Sequence, residues 1–159
     1  MKYILNGIVI LICIVVLFVV GDAILVRTGV INISAEKVTA SVDVLMKTGR
    51  SLTCSGTFNY FEGLSKGKLY VADGKAYVEI NIQQGVIVSY YRYFVDSTST
   101  YYWIDGESVG TVYPRESASA SKSNPLPYWG ESHDFMCVQG NVDATVMRLP
   151  SRVSFRPYQ

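Results

Sequence analysis

The chain has 159 residues, enough for one domain with a buried core. Its formal net charge is +1 and its 14 Lys and Arg residues are scattered singly, so the sequence lacks the basic patch that nucleic-acid binding requires. Charged residues make up 17% and aromatic residues 13% of the chain, a balance that argues against disorder. We therefore expect a folded domain without a nucleic-acid partner.

The N-terminal segment, residues 1–26, is strongly apolar. After Lys2, an apolar run extends from Ile8 to Val20. Its length is typical of a signal-peptide core, and with the residues before it the run just reaches the length of a membrane-spanning helix. The sequence leaves two alternatives for this segment, cleavage after Ala23 and retention as a membrane anchor. The early cation predicts that the rest of the chain lies outside the cytoplasm, either secreted or as a single-pass membrane protein.

Composition predicts the organisation of the chain beyond this apolar segment. Residues 27–33 have the character of an extended stalk, and residues 34–159 are expected to form a single extracytoplasmic domain. Within that domain the stretch 114–127 is rich in Ser, Ala and Pro, which is typical of a mobile loop.

An exported domain would hold Cys54 and Cys137 in an oxidising compartment, while Cys13 lies in the apolar segment. We predict a structural disulfide between Cys54 and Cys137. The alternative is a reactive thiol or a metal ligand, with the single histidine, His133, four residues before Cys137. Because the sequence has no metal-ligand spacing, phosphate loop or serine elbow, we predict no metal, no cofactor and no enzymatic activity.

Two periodicities compete in residues 34–47. A helical stripe and a strand alternation both fit, the first through Val38, Val42, Leu45 and Met46 and the second through Val38, Ala40, Val42 and Val44. Ser34 as an N-cap and Gly49 after the stripe favour a helix. We expect one helix here.

From residue 50 onward, apolar and polar side chains alternate with the period of β-strands. Asp73-Gly74 lies between two alternating runs, and Asp105-Gly106 follows another. An Asp-Gly pair in this position is a strong signal for a hairpin turn. Strands spaced about ten residues apart with short polar turns predict an antiparallel meander.

The final segment "HDFMCVQGNVDATVMRLPSRVSF", with "SLTCSGTF", "KLYVADGKAYVEI" and "YYWIDG", resembles a group of exported bacterial envelope proteins. The resemblance implies an apolar leader, a helix, a Cys-bearing first strand and a shared C-terminal pattern. That pattern is matched here by Phe135, Cys137, Asp143, Pro150, Val153 and Phe155. Gly140 and Met147 depart from the pattern. The group is in turn similar to the lipoprotein-carrier fold of the bacterial envelope. The resemblance implies an α+β domain in which one helix packs on a curved, half-barrel-like antiparallel meander around an apolar cavity.

Aromatic side chains concentrate in "VSYYRYFVDSTSTYYWIDG". We take as candidate ligand-binding residues Tyr90, Tyr91, Tyr93, Phe94, Tyr101, Tyr102 and Trp103. Both faces of the predicted strand 86–95 carry apolar side chains, so the second face of the sheet needs a cover: the 114–127 loop, a protein partner or an apolar ligand. Ordinary packing of aromatic residues between strands is the alternative.

The expected function follows from these aromatic residues and the resemblance together. We expect a non-enzymatic envelope protein that is attached to the membrane through its N-terminal helix. Its aromatic-lined sheet would bind a lipid or a lipoprotein acyl chain. The alternative is a cell-surface structural or protein-interaction module that has no small-molecule ligand.

Overall fold

The computed structural model describes residues 34–60, 63–84, 86–115 and 129–158. The predicted leader or anchor, the stalk and residues 116–127 of the predicted mobile loop lie outside the described residues. Within the described ranges, no helix is long and apolar enough to cross a membrane. Residues Ser34–Gln159 form one compact unit.

The described residues contain one short helix and nine strands. In chain order these are β1 (Glu36–Ala40), α1 (Val42–Lys47), β2 (Leu52–Tyr60), β3 (Gly63–Ala72), β4 (Lys75–Gln84), β5 (Ile87–Val95), β6 (Ser99–Ile104), β7 (Val109–Pro114), β8 (His133–Gln139) and β9 (Ser154–Pro157). The strands form one curved, open sheet in the order β1-β8-β2-β3-β4-β5-β6-β7-β9.

Strands β2 to β7 confirm the predicted meander, because each pairs antiparallel with the next. At the β3–β4 turn, Asp73 has φ +52° and Gly74 has φ +69°, the left-handed backbone that a tight hairpin turn requires. The prediction of a wholly antiparallel sheet is wrong at one edge, since β9 pairs with β7 in parallel. A parallel neighbour needs a long connection, and residues 115–153 supply it.

The helix expected over residues 34–47 is wrong in its first half. Residues 36–40 form β1, which gains a ladder of hydrogen bonds from distant β8, and α1 begins only at Val42. Ser41 is the N-cap, and its hydroxyl accepts a hydrogen bond from the Val44 N–H at 3.2 Å. Both periodicities are thus present in succession, the strand alternation in β1 and the helical stripe in α1.

The main core lies on the face of the sheet that packs against α1, here called the helix-side face. The helix contributes Val42, Leu45 and Met46, and the sheet contributes side chains such as Leu69 and Val78, which are fully buried. The predicted disulfide between Cys54 and Cys137 is present in this core. The two cysteines are directly opposite each other in β2 and β8, with their Cα atoms 4.0 Å apart.

The disulfide decides between the two expectations for the cysteines. Because the sulfur atoms of Cys54 and Cys137 are bonded to each other, neither provides a thiol for nucleophilic or metal chemistry. The ring of His133 instead packs beside Phe58, with 5.4 Å between the ring centroids. The reactive-thiol alternative is therefore wrong.

The second face of the sheet, here called the opposite face, is covered in part by the C-terminal segment, residues 141–158. Phe94, Trp103 and Val153 form a second buried cluster there. The ring of Phe155 in β9 lies 5.7 Å from Trp103 and makes an edge-on contact with it. This cover is not among the three that we expected from the sequence, because it is the chain's own C-terminal segment, with Val153 packed in the cluster just before β9 joins the edge of the sheet.

Candidate functional site

An open groove lies on the opposite face, between the sheet and the C-terminal segment. Its volume is about 410 Å³. The sheet contributes Tyr77, Glu79, Arg92 and Trp103, the turn after β6 contributes Asp105, and the C-terminal segment contributes residues within 145–152. We call it the arginine groove.

Strand register brings the residues on the sheet side of the groove together. Glu79 of β4 is directly opposite Arg92 of β5, which is directly opposite Trp103 of β6. Because side chains alternate between the two faces of a strand, Tyr77 shares the face of Glu79. The floor of the groove is therefore a row of side chains across three adjacent strands.

Ion pairs hold this row in place. Arg92 pairs with Glu79, and its Nη2 lies 3.5 Å from Oδ2 of Asp105. The other oxygen of Asp105 is 2.9 Å from Nη2 of Arg152 in the C-terminal segment. Asp105 thus joins a cation of the sheet to a cation of the segment that covers it.

Burial and charge set the protonation states on the floor of the groove. Burial raises the pKa of the Tyr77 phenol, and neighbouring Glu79 raises it further, although Arg92 opposes the shift. Burial works against the charge on Arg92, but Tyr77, Glu79 and Asp105 outweigh it and raise the pKa of the guanidinium. At neutral pH the floor therefore presents a neutral phenol beside a charged arginine, whose Nη1 donates to the Tyr77 hydroxyl at 3.4 Å.

Two turns shape the C-terminal side of the groove. The Asp143 carboxylate accepts a hydrogen bond from the Thr145 N–H at 2.8 Å, which closes a turn through the side chain. Hydrogen bonds from Thr145 hold the pKa of that carboxyl below its usual value. Further on, the Val153 N–H donates to the Pro150 carbonyl at 3.2 Å. Between these turns the chain presents Arg148, which forms no ion pair with any described residue, and Leu149, whose surface is 36% exposed.

The seven aromatic residues predicted to bind a ligand do not share one surface. On the helix-side face are Tyr91, Tyr93 and Tyr102. On the opposite face are Tyr90, Phe94, Tyr101 and Trp103. Tyr93 is fully buried and meets Trp129 edge-on with 5.4 Å between ring centroids, while Tyr90 is 44% exposed. Of the seven, Trp103 is the one that lines the arginine groove.

Sequence reasoning missed the remaining groove residues. Glu79 and Arg92 are charged side chains within aromatic-rich strands of a chain that has few charges, and this contrast was the available signal. That Glu79 and Arg92 form a pair follows only from the β4–β5 register. Arg148 and Arg152 carried no comparable signal, because isolated arginines are ordinary on protein surfaces.

Comparisons with known proteins suggest no function, so a functional proposal rests on the groove. No protein-family model matches the chain, and no curated protein or solved structure gave a significant match. In the described ranges, no group of three or more His, Cys, Asp or Glu side chains could hold a metal ion. The resemblance to exported envelope proteins stays a prediction.

Proposed function

We propose that residues 34–159 form a non-enzymatic extracytoplasmic binding module, attached to a membrane through the N-terminal apolar segment. Its ligand is a lipid or a lipoprotein acyl chain, and the ligand occupies the arginine groove. The observation that carries this proposal is the open groove itself. Apolar surface faces it from two sides, the half-buried ring of Tyr77 in the sheet and Leu149 in the C-terminal segment.

The charged groups of the groove favour binding over catalysis. Glu79 and Asp105 are both engaged in ion pairs with arginines, so neither carboxylate is placed as a general base. His133 is distant from the groove in the fold, since it lies in β8 and packs beside Phe58 of the main core. The groove thus offers surfaces and donors that hold a ligand in place.

Native mass spectrometry of the full chain, produced through an oxidising export route, tests this function. We expect a lipid that co-purifies in a fixed ratio and that solvent extraction releases. Leu149→Glu should abolish the adduct, because it places a charge against the apolar part of the ligand. Met136→Glu is the matched control, since Met136 is a 47% exposed apolar residue in β8 and does not line the groove. An adduct that is absent from the unmodified chain, or equally abundant in both variants, would contradict the proposal.

A second candidate function, protein interaction, is favoured by the tip of the β4–β5 hairpin. The exposed fractions of Val86, Ile87 and Val88 are 98%, 65% and 47%. The pairing of β3 with β4 ends at Gly67 and Ile80, whereas β4 and β5 stay paired to Gln84 and Ile87. The tip is therefore a two-stranded ribbon with an apolar end, which is marginally stable by itself.

A photo-crosslinking amino acid in place of Ile87 tests this second function in producing cells. A discrete protein adduct from position 87, and none from the 43% exposed Val109, would favour a protein partner. Adducts with lipid alone would count against it.

A further inference from the structure

We infer that the arginine groove recognises an amphiphile that carries one singly charged oxyanion, a carboxylate or a phosphodiester, and that Arg148 is the cation that pairs with it. This inference rests on the proposed function and names the chemical class of its ligand.

The groove is lined by one more positively charged than negatively charged side chain. The groove is lined by Arg92, Arg148 and Arg152 on the positive side and by Glu79 and Asp105 on the negative side. Glu79 pairs with Arg92, and Asp105 pairs with both Arg92 and Arg152. Two carboxylates therefore balance two arginines, and Arg148 has no counter-charge among the described residues.

The surplus charge selects for a single negative charge on the ligand. A carboxylate and a phosphodiester each carry one negative charge at neutral pH, whereas a phosphate monoester carries about 1.5 to 2. The second charge of a monoester would meet Glu79 and Asp105, which are repulsive to it. A singly charged group is therefore the best electrostatic match to the groove.

Donors are available for such a group. A guanidinium has five N–H donors in a fork that fits an oxyanion, and the ion pair of Arg152 with Asp105 uses one of its nitrogens. Tyr77 does not repel an anion, because its phenol stays neutral at neutral pH.

The remainder of the ligand must be apolar. Surface for an alkyl chain comes from the half-buried ring of Tyr77 on the floor and from Val146, Leu149 and Pro150 in the segment. An inorganic anion would leave these surfaces in contact with water. Fatty acids and phospholipids both supply an alkyl chain with one oxyanion.

Isothermal titration calorimetry on the full chain, kept in solution by an amphipathic polymer, can test this inference. The probes are hexanoate, hexyl methyl phosphate, hexanol and acetate. We expect at least one of the two charged hexyl compounds to bind about tenfold or more tightly than hexanol, as one charge-assisted contact implies. Arg148→Gln should remove this preference, and Arg156→Gln, an exposed arginine of β9 outside the groove, should keep it.

The outcomes separate the inference from the proposed function. Tighter binding of hexanoate supports a fatty acid, and tighter binding of the phosphodiester supports a phospholipid head group. If hexanol binds as tightly as the charged hexyl compounds, or if their preference survives Arg148→Gln, the anion inference is overturned. In that case, hexanol binding that is lost in Leu149→Glu still supports the apolar site of the proposed function. If acetate binds as tightly as hexanoate, the inference that the ligand is an amphiphile is overturned. Binding of none of the four probes, with no lipid adduct, overturns both.

Discussion

Arg92 links three parts of the sheet through one side chain. It pairs with Glu79 of β4 and with Asp105 after β6, and its side chain is 18% exposed. Arg92→Gln would leave a half-buried carboxylate without a cation. We expect the free energy of unfolding, measured by urea denaturation, to fall by about 1–3 kcal/mol, below the range for fully buried pairs because solvent screens this one in part.

Arg148→Gln is the matched control for that measurement. Arg148 has no ion-pair partner among the described residues, so its replacement should change the free energy of unfolding by less than about 0.5 kcal/mol. Equal losses in the two variants would show that the ion pairs of Arg92 do not stabilise the fold.

Asp96 should make the stability of the fold depend on acid pH. Partial burial opposes its ionisation, but hydrogen bonds from the Thr98 and Ser99 N–H groups, both 2.8 Å long, favour the carboxylate, and the net pKa is lowered. The contribution of the carboxylate is therefore present above the unfolded pKa and is lost as the pH falls through the folded pKa.

The Asp96→Asn variant isolates this effect, because the amide oxygen can accept hydrogen bonds but does not ionise. We expect the difference in unfolding free energy between the two proteins to be largest near pH 7 and to shrink below about pH 4, the ordinary range of an aspartate. A difference that is constant from pH 7 to pH 2 would contradict the assignment.

At the scale of elements, the attachment of β9 depends on Gly110. A Cβ atom at Gly110 would lie 2.6 Å from Cε1 of Phe155 and 2.7 Å from the Tyr102 carbonyl oxygen. Gly110→Ala must displace the ring or the strand, and overpacking of this kind costs about 1–3 kcal/mol. We expect the Ser154 and Tyr158 N–H groups, which donate to β7 and the turn before it, to exchange with solvent faster.

Hydrogen exchange read by mass spectrometry measures this loosening. Gly140→Ala is the control, since no atom lies within 4 Å of the added methyl group. Faster exchange throughout β4, and not only near β9, would mean that the substitution destabilises the whole sheet rather than this attachment.

The elements that could be predicted from sequence depend on neighbouring residues. The Asp73-Gly74 turn needs only a backbone that accepts positive φ, and the alternation in β4 reports a sheet covered on one side. The β1–β8 and β7–β9 pairings depend on partners far along the chain, so no local pattern could predict them. This is also why residues 36–40 were misassigned to a helix.

The arginine groove could not be predicted for the same physical reason. Arg92 and Glu79 are opposite each other only after β4 and β5 have paired, and Arg152 reaches Asp105 only after the C-terminal segment has folded over the sheet. Aromatic content correctly indicated apolar side chains on both faces. It could not indicate which rings are buried, because burial of Tyr93 depends on Trp129 and burial of Trp103 on the C-terminal segment.

At the scale of the whole molecule, the disulfide joins cysteines 83 positions apart in sequence. A loop of that length restricts the unfolded chain by roughly 4–5 kcal/mol in the chain-entropy model. We expect the Cys54→Ala/Cys137→Ala double variant to lose several kcal/mol of unfolding free energy in urea denaturation. The reduced unmodified protein is the control and should behave like the variant.

The mass of the protein, produced in an oxidising compartment, checks the same bond independently. Without reductant, thiol-specific alkylation should leave Cys54 and Cys137 unmodified. Two alkylated cysteines at these positions, or equal stability of the oxidised and reduced proteins, would contradict the expected role of the bond.

The cover over the opposite face also has a consequence for the order in which the protein becomes complete. A chain synthesised from its N-terminus completes β2 to β7 long before residues 141–158, and domains begin to fold as they emerge. Until those last residues arrive, Phe94 and Trp103 lack the side chains of Val153 and Phe155 that bury them. A chain truncated before this segment would therefore keep its meander and expose an aromatic surface to solvent, so a premature stop near the end should yield an aggregation-prone product instead of a slightly shorter domain.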